Sequence, residues 1–245
     1  MKKILIIGAT SLIAEHCARI WASRGSSFFL TGRDTLKLNI IANDLKIRVA
    51  KQVFTYCINF NDIDEHLSMI NTADSELDGL DLVLVAYGTL SNQELCEKDV
   101  NMTISEINTN AISIISLLTH IANRFESAKA GKIAIISSVS GEKGRASNYV
   151  YGCAKAMVTT FASGLRQRLH KANVSVLTLK PGYVDTPMTA HKKKGLLWAK
   201  PAKAASIIVR AIDANKDEIY VPRFWWLILT VIKLIPNRLY KNIRL

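Results

Sequence analysis

A chain of 245 residues, 49% of them hydrophobic and 21% charged, can bury a substantial core in one large domain, and it is too apolar to be disordered as a whole. Twelve glycines and five prolines exclude collagen-like and low-complexity architectures, and no apolar run approaches the ~20 residues that span a bilayer. The net charge of +12 points to an anionic partner; +9 of it lies between His191 and Leu245, where 12 basic residues meet three acidic ones.

In chain order, Ile4–Ile7 is the first strand-like run. Its four apolar residues end at Gly8, too short a stretch for the apolar region of a secretion signal. Gly8-Ala9-Thr10-Ser11-Leu12-Ile13-Ala14 then leads into a helical pattern over Ser11–Ser23. A helix N-terminus offers free N–H groups and a positive dipole end, which suits a pyrophosphate, although an ordinary strand-to-helix turn reads the same way. Phe28–Thr31 is the second run, closed by Gly32-Arg33, and Leu36–Leu45 is helical. The third run, Val53–Ile58, is followed by Asn59-Phe60 and a helical stretch over Asp62–Ile70. The fourth, Leu82–Ala86, continues into Tyr87-Gly88, and the long helical pattern Ile104–Phe125 carries Asn108-Thr109-Asn110. Lys132–Ser137 is the fifth run, Tyr149–His170 the next helix and Val174–Leu179 the sixth run. Pro187–Lys200, with His191-Lys192-Lys193-Lys194-Gly195, reads as a mobile loop between helical patterns.

Runs that are apolar on both faces and alternate with helices predict an α/β fold. The expected form is a Rossmann-type doubly wound parallel sheet in three layers, as a single domain over residues 1–222. In such sheets ligands sit beyond the carboxyl ends of the strands. Cys17, Cys57, Cys96 and Cys153 are widely spaced, with no CxxC pair or Cys/His cluster. They predict no metal site and read as free thiols of a cytoplasmic protein.

One constellation carries chemistry. Ser138 closes the fifth run, Tyr151 lies thirteen residues further on, and Lys155 follows at i+4, on the same helix face. A tyrosine titrates near ~10 in water, and a neighbouring ammonium favours the phenolate, so such a pair can exchange a proton near neutral pH. A serine hydroxyl can hold a substrate oxygen. A solvated Tyr/Lys pair on a helix surface is the bland reading, and the position of Ser138 at a strand end argues against it.

These segments together resemble the classical short-chain dehydrogenase/reductase family over essentially the whole chain. The resemblance rests on Gly8–Ala14, Ala86-Tyr87-Gly88, Asn110, Ser138, Tyr151-Gly-Cys-Ala-Lys155 and Pro181-Gly182-Tyr183-Val184-Asp185-Thr186, in that order. It implies a nicotinamide cofactor and reversible carbonyl reduction. Tyr151 would be the general acid in reduction, with Lys155 lowering its pKa and binding the nicotinamide ribose. Ser138 would polarise the carbonyl, and Asn110, rather than Asn108, would hold a relay water. The cofactor would touch Gly8, Ser11, Leu12, Ile13, Asn59, Phe60, Ala86 and Gly88, then Tyr151 and Lys155, with Pro181, Gly182, Val184 and Thr186 lining its nicotinamide end. The chain departs from the family pattern where Leu12 and Ala14 replace glycines, Tyr87 replaces the Ala of the usual Asn-Ala-Gly with Ala86 in the Asn position, and Asn59 replaces an Asp.

An NAD-type site places an acid on the ribose hydroxyl ~20 residues after the glycine loop. Here the second run ends in Arg33, whose guanidinium suits a phosphate, so NADP is favoured over NAD; Asp34 is the competing reading. Residues 223–245 form a separate C-terminal segment: Phe224–Ile235 is twelve residues of apolar helix, then come Pro236 and a basic tail. Thr230, Lys233, Asn237, Lys241 and Arg244 make one narrow polar stripe. Adjacent tryptophans and basic residues suit a helix lying in a membrane interface, on the inner face of the membrane; packing on the domain or across an oligomer is the alternative. The Gly8–Ala14 loop and this ending also resemble reductases of polyprenyl-phosphate-linked keto-sugars, such as the decaprenylphosphoryl-keto-pentose reductase. The expected function is NADP-dependent ketone reduction, or the reverse, on a small-molecule or lipid-linked substrate, by a homo-oligomer. A non-catalytic dinucleotide sensor is the alternative. No nucleic-acid partner is expected, because the aromatic residues cluster in one apolar run instead of alternating with bases.

Overall fold

The computed structural model describes residues 1–190 and 193–243. Its strands are β1 (Lys3–Ile7), β2 (Ser27–Gly32), β3 (Val53–Cys57), β4 (Leu82–Val85), β5 (Lys132–Ile136), β6 (Ser175–Pro181) and β7 (Glu218–Val221). Its helices are α1 (Leu12–Ala22), α2 (Thr35–Ile47), α3 (Glu65–Leu77), α4 (Gln93–Lys98), α5 (Val100–Ile107), α6 (Ser113–Ala128), α7 (Tyr149–Leu169), α8 (Pro201–Asp213), α9 (Trp225–Leu234) and α10 (Asn237–Tyr240). The strands form one parallel sheet in the order β3-β2-β1-β4-β5-β6-β7, with helices on both faces. This is the doubly wound, three-layer, single-domain architecture that the alternating runs predict.

The pleat explains why the strands are apolar throughout. Ile4, Ile6, Phe28, Leu30, Leu82 and Leu84 face one layer, where they meet buried residues of α1, α2 and α8. Their neighbours Leu5, Ile7, Phe29, Val83, Val85 and Ile133 face the other, against α3, α6 and α7. β7 has no counterpart among the expected strands: four residues beginning with a glutamate are too few to show a pattern. The single helix expected over Ile104–Phe125 is instead α5 and α6 joined by a π-helical turn, Asn108–Ile112. A π turn inserts one residue into the ladder and turns the chosen side chains, and it is often found at functional sites.

The order of strand addition reverses between β1 and β4, which opens a crevice beyond Ile7 and Val85. Gly8 stands at that edge with φ +88°, and a Cβ there would lie 2.6 Å from the Cβ of Tyr87. The turn therefore needs glycine both for its backbone and for its space.

The segment after residue 222 is no loose appendage. Trp225 and Leu229 of α9 are buried and pack with Val139. Lys143 Nζ donates to the carbonyls of Ile232 (3.4 Å) and Ile235 (3.2 Å), and the Tyr240 hydroxyl donates to the Gly144 carbonyl at 2.7 Å. Lys233 pairs with Glu142, so its charge faces the protein. Glu142 also binds Lys180 at 2.5 Å, and Lys180 reaches Glu218 at 2.7 Å. The other apolar flank of α9 is open, with Phe224, Trp226, Leu227, Val231 and Leu234 exposed. No helix among the described residues is long and apolar enough to cross a membrane. His191, Lys192, Arg244 and Leu245, which the sequence reading assigns to the loop and the basic tail, lie outside the described residues. The loop between β6 and α8 is tied back by a Val184–Ala199 bridge and by Trp198 stacked on Tyr183 at 5.3 Å.

Candidate active site

A cleft of about 680 Å³ runs along the carboxyl edge of the sheet, from the loop after β2 to the loop after β6. At one end, Ser11, Leu12 and Ile13 line it at the start of α1. Ser11 is the N-cap but makes no side-chain capping bond, so the first-turn amides of Leu12 and Ile13 remain as donors for an anion. Leu12, which stands where the family pattern has a glycine, lines this end of the cleft without closing it.

Arg33, Asp34 and Lys37 line the adjoining wall. Asp34 caps α2 by accepting from the Lys37 amide at 3.0 Å, and its carboxylate pairs with Lys37 Nζ at 3.4 Å. The capping bond, above all, holds its carboxyl below the usual range. Asp34, the competing reading for a ribose contact, thus also caps its helix, whereas the exposed Arg33 guanidinium makes no ion pair among the described residues.

Mid-cleft, Asn59, Phe60, Ala86 and Gly88 line the floor as expected, together with Tyr87, which sequence reasoning missed as a contributor. The Tyr87 ring stacks on Phe60 at 4.2 Å, and its hydroxyl bonds Ser113 Oγ at 2.6 Å. This stack and bond brace β4 against α6. Asn59 accepts from the Asn61 amide at 3.2 Å, which shapes its turn.

Ser138, Tyr151 and Lys155 converge at the far end. Ser138 extends from the end of β5, and its Oγ accepts the Ser140 amide at 3.1 Å. Tyr151 and Lys155 sit one turn apart on α7, with Lys155 Nζ 5.6 Å from the Tyr151 ring centre. Lys155 donates to the Ile136 carbonyl at 3.3 Å. The start of α7 is fixed from outside: Gln93 Oε1 of α4, a buried residue, accepts the Val150 amide at 3.1 Å.

Asn110 is brought near this group but does not line the cleft. Its Oδ1 accepts the Thr89 amide at 2.9 Å; its Nδ2 reaches Thr89 Oγ1 (2.9 Å), the Glu106 carbonyl (3.1 Å) and Glu106 Oε2 (3.0 Å). Both polar atoms of the side chain are engaged in holding the turn after β4. Gly88 lies between: a Cβ there would stand 2.7 Å from Asn110 Oδ1 and 3.4 Å from Lys155 Nζ.

The electrostatics differ from the expectation of a lowered tyrosine. Burial pushes the Tyr151 phenol up to about 12; a hydrogen bond with Ser138 opposes the rise and the Glu106 carboxylate adds to it. Burial alone brings the Lys155 ammonium down to about 8. Desolvation is the largest cause for both groups.

Pro181, Gly182, Val184 and Thr186 close the cleft over this end, with Tyr183 and Met188 beside them. Trp225 of α9 completes the wall and meets Tyr183 edge-on at 5.6 Å. The donors at α1, the guanidinium at Arg33 and the long, continuous cleft fit a dinucleotide lying from β2 to Tyr151. Such a group would supply the hydride, and a hydroxyl and a phenol of the chain stand at the end where it would act.

The comparisons agree with this geometry. Residues 2–196 match the model of the short chain dehydrogenase family. An uncharacterized oxidoreductase of Mycobacterium tuberculosis is 29% identical over 239 residues, covering 98% of this chain and 96% of that protein. Another, from Staphylococcus aureus, is 30% identical over 189 residues, covering 77% and 80%. Among solved structures, a Sinorhizobium meliloti chain superposes with a TM-score of 0.83 at 18% identity, covering 92% of this chain and 96% of that one. A short-chain type dehydrogenase/reductase from Mycobacterium ulcerans follows with 0.79 at 17% identity, covering 89% and 87%. The matched residues, the sheet order and the Ser138, Tyr151 and Lys155 site lead to one conclusion: the chain belongs to the short-chain dehydrogenase family and is an NAD(P)-dependent oxidoreductase of the CH-OH/C=O type.

Proposed function

We propose that this enzyme uses NADPH to reduce a ketone to an alcohol, with Ser138 holding the carbonyl oxygen and Tyr151 giving it a proton. The observation that carries the reading is the enclosure of Ser138, Tyr151 and Lys155 at one end of a cleft whose other end presents Arg33 and the amides of α1. A carbonyl oxygen gains negative charge as it accepts hydride, so a hydroxyl and a protonated phenol aimed at it stabilise the transition state more than the ground state. Lys155, beside the phenol and against Gly88, would hold ribose hydroxyls and steady the charge left on Tyr151. Asn110 acts through the Thr89 turn, as a positioning residue.

The cofactor choice rests on Arg33 with Lys37 nearby, and on Asp34 being tied to its helix. A charge-assisted phosphate contact is worth about 1.5–3 kcal/mol, or ten- to hundredfold in affinity. NADPH should therefore bind more tightly than NADH in a fluorescence titration, and Arg33→Ala should weaken NADPH alone. Equal dissociation constants in the wild type would reject the NADP assignment.

The substrate side supports an amphipathic, lipid-linked ketone. Phe224, Leu227, Val231 and Leu234 recur at steps of three and four on the open flank of α9, beside Trp226 and the exposed bases Arg223, Arg238 and Lys241. This face would adsorb to an anionic membrane and set the cleft mouth at the lipid surface. Lys233 is not one of its cations, since Glu142 takes it. Homo-oligomer formation would use α5 and the π turn, where Val100, Ile104 and Ile112 are exposed.

A further inference from the structure

Asn148 Oδ1 is a buried side-chain atom with no hydrogen-bond partner, on a residue that lines the cleft at its substrate end. Leaving such atoms without partners is unfavourable unless a ligand meets them. Asn148 is the N-cap residue of α7, a position where asparagine ordinarily accepts an amide of the first turn. It makes no such bond, because Gln93 from α4 already takes the Val150 amide. Its amide is instead turned so that Nδ2 donates to Ser140 Oγ at 3.2 Å.

Arg145 reaches the same Ser140 Oγ, through Nη2 at 2.8 Å, and also lines the cleft. No carboxylate among the described residues pairs with it. The nearest in sequence, Glu142, is neutralised by Lys180 and Lys233. Ser140 thus anchors both a guanidinium with free donors and an amide with a free oxygen. Both hang from the short connection that bears Ser138 at one end and Tyr151 at the other. The opposite wall is apolar, formed by Met188 and Trp225.

We propose that Arg145 and Asn148 form the substrate-recognition site, with Arg145 binding a carboxylate or phosphate of the substrate and Asn148 accepting from one of its hydroxyl groups. The substrate is then an anionic hydroxy-ketone, and not a neutral ketone or a steroid-like apolar one. This assignment rests on the reading of Ser138 and Tyr151 as a ketone-reducing pair. A guanidinium presents parallel donors that match either oxyanion.

The experiment uses matched probes: levulinate against methyl propyl ketone for the carboxylate, and dihydroxyacetone phosphate against dihydroxyacetone for the phosphate. Binding to the NADP⁺-loaded enzyme is followed by tryptophan fluorescence, and NADPH-dependent reduction is followed beside it. The wild type should prefer at least one anionic probe over its neutral match by roughly tenfold or more, the scale of one charged hydrogen bond. Arg145→Gln should remove most of that preference, and Arg145→Lys should keep part of it. Asn148→Ala should weaken dihydroxyacetone phosphate and dihydroxyacetone alike while leaving levulinate, which has no hydroxyl group, unchanged. If the wild type binds neutral and anionic probes equally, or if Arg145→Gln keeps the full preference, the proposal is wrong. If the wild type reduces no ketone of either kind yet still binds the anions through Arg145, the reductase reading fails and the anion site stands.

Discussion

Tyr151 and Lys155 show how little a motif says about its own protonation. The residue types, the spacing of four and the preceding Ser138 are all visible in the sequence, and the structure assembles them at one point of one cleft. Their proton affinities are not visible, because these depend on an enclosure that only the assembled layers create: it holds the phenol up at about 12 and the ammonium down at about 8. Tyr151→Phe removes the exchangeable proton and little else, so turnover should fall by about 10²–10⁴ or more while NADPH affinity is kept. Lys155 gives a stability test with a definite sign. Its ordinary value is 10.5, so between pH 8 and 10.5 the unfolded chain binds more protons than the folded one and stability rises with pH; below pH 8 the full penalty of the buried ammonium applies. Lys155→Met should therefore raise the melting temperature at pH 7 while abolishing activity. The gain should be at most about 3 kcal/mol, should shrink above pH 10, and is read from thermal unfolding at the two pH values. A variant that is less stable than wild type at pH 7 would show that the ammonium is not penalised.

At the scale of elements, the sequence speaks clearly where one pattern has one meaning. The six expected runs are six of the seven strands, since residues apolar on both faces fit little else in a parallel sheet. β7 escaped because four residues carry no period. The π turn escaped because one inserted residue at Asn108–Ile112 leaves the apolar repeat of α5 and α6 almost unchanged. α9 is the instructive case. Lys233 of its polar stripe turns toward Glu142, and apolar residues occupy both flanks of the helix. When both flanks are apolar, sequence alone does not say which is covered. The adjacent tryptophans separate the two. Trp225 is 4% exposed and Trp226 is 58% exposed. Trp225→Ala should cost about 3 kcal/mol in denaturant unfolding and impair turnover, because it opens the cleft wall. Trp226→Ala should change stability by less than about 0.5 kcal/mol. Similar losses from both would place α9 differently. A chain ending at Val221 should likewise lose stability, since it gives up Trp225, Leu229 and the Lys233 partner of Glu142.

For the whole molecule, the open apolar faces of α5 and α9 make separable predictions. The α5 face predicts a sedimentation mass well above the 27.2 kDa of one chain at micromolar concentration, reduced by Ile104→Glu. The α9 face predicts flotation with anionic vesicles, weaker with neutral ones and partly reversed by salt, with Trp226→Glu reducing it while the oligomer persists. A protein that ignores anionic vesicles would confine α9 to its role as a wall of the cleft. The most direct test is a single-turnover experiment in which NADPH bound to excess enzyme is mixed with a panel of ketones, including the anionic hydroxy-ketones, and the loss of its absorbance is followed in the wild type and in Tyr151→Phe. Rapid loss in the wild type with stoichiometric alcohol, and none in Tyr151→Phe despite full NADPH binding, is the predicted result. NADPH that stays reduced with every ketone, or oxidation that proceeds equally without the Tyr151 hydroxyl, would contradict it.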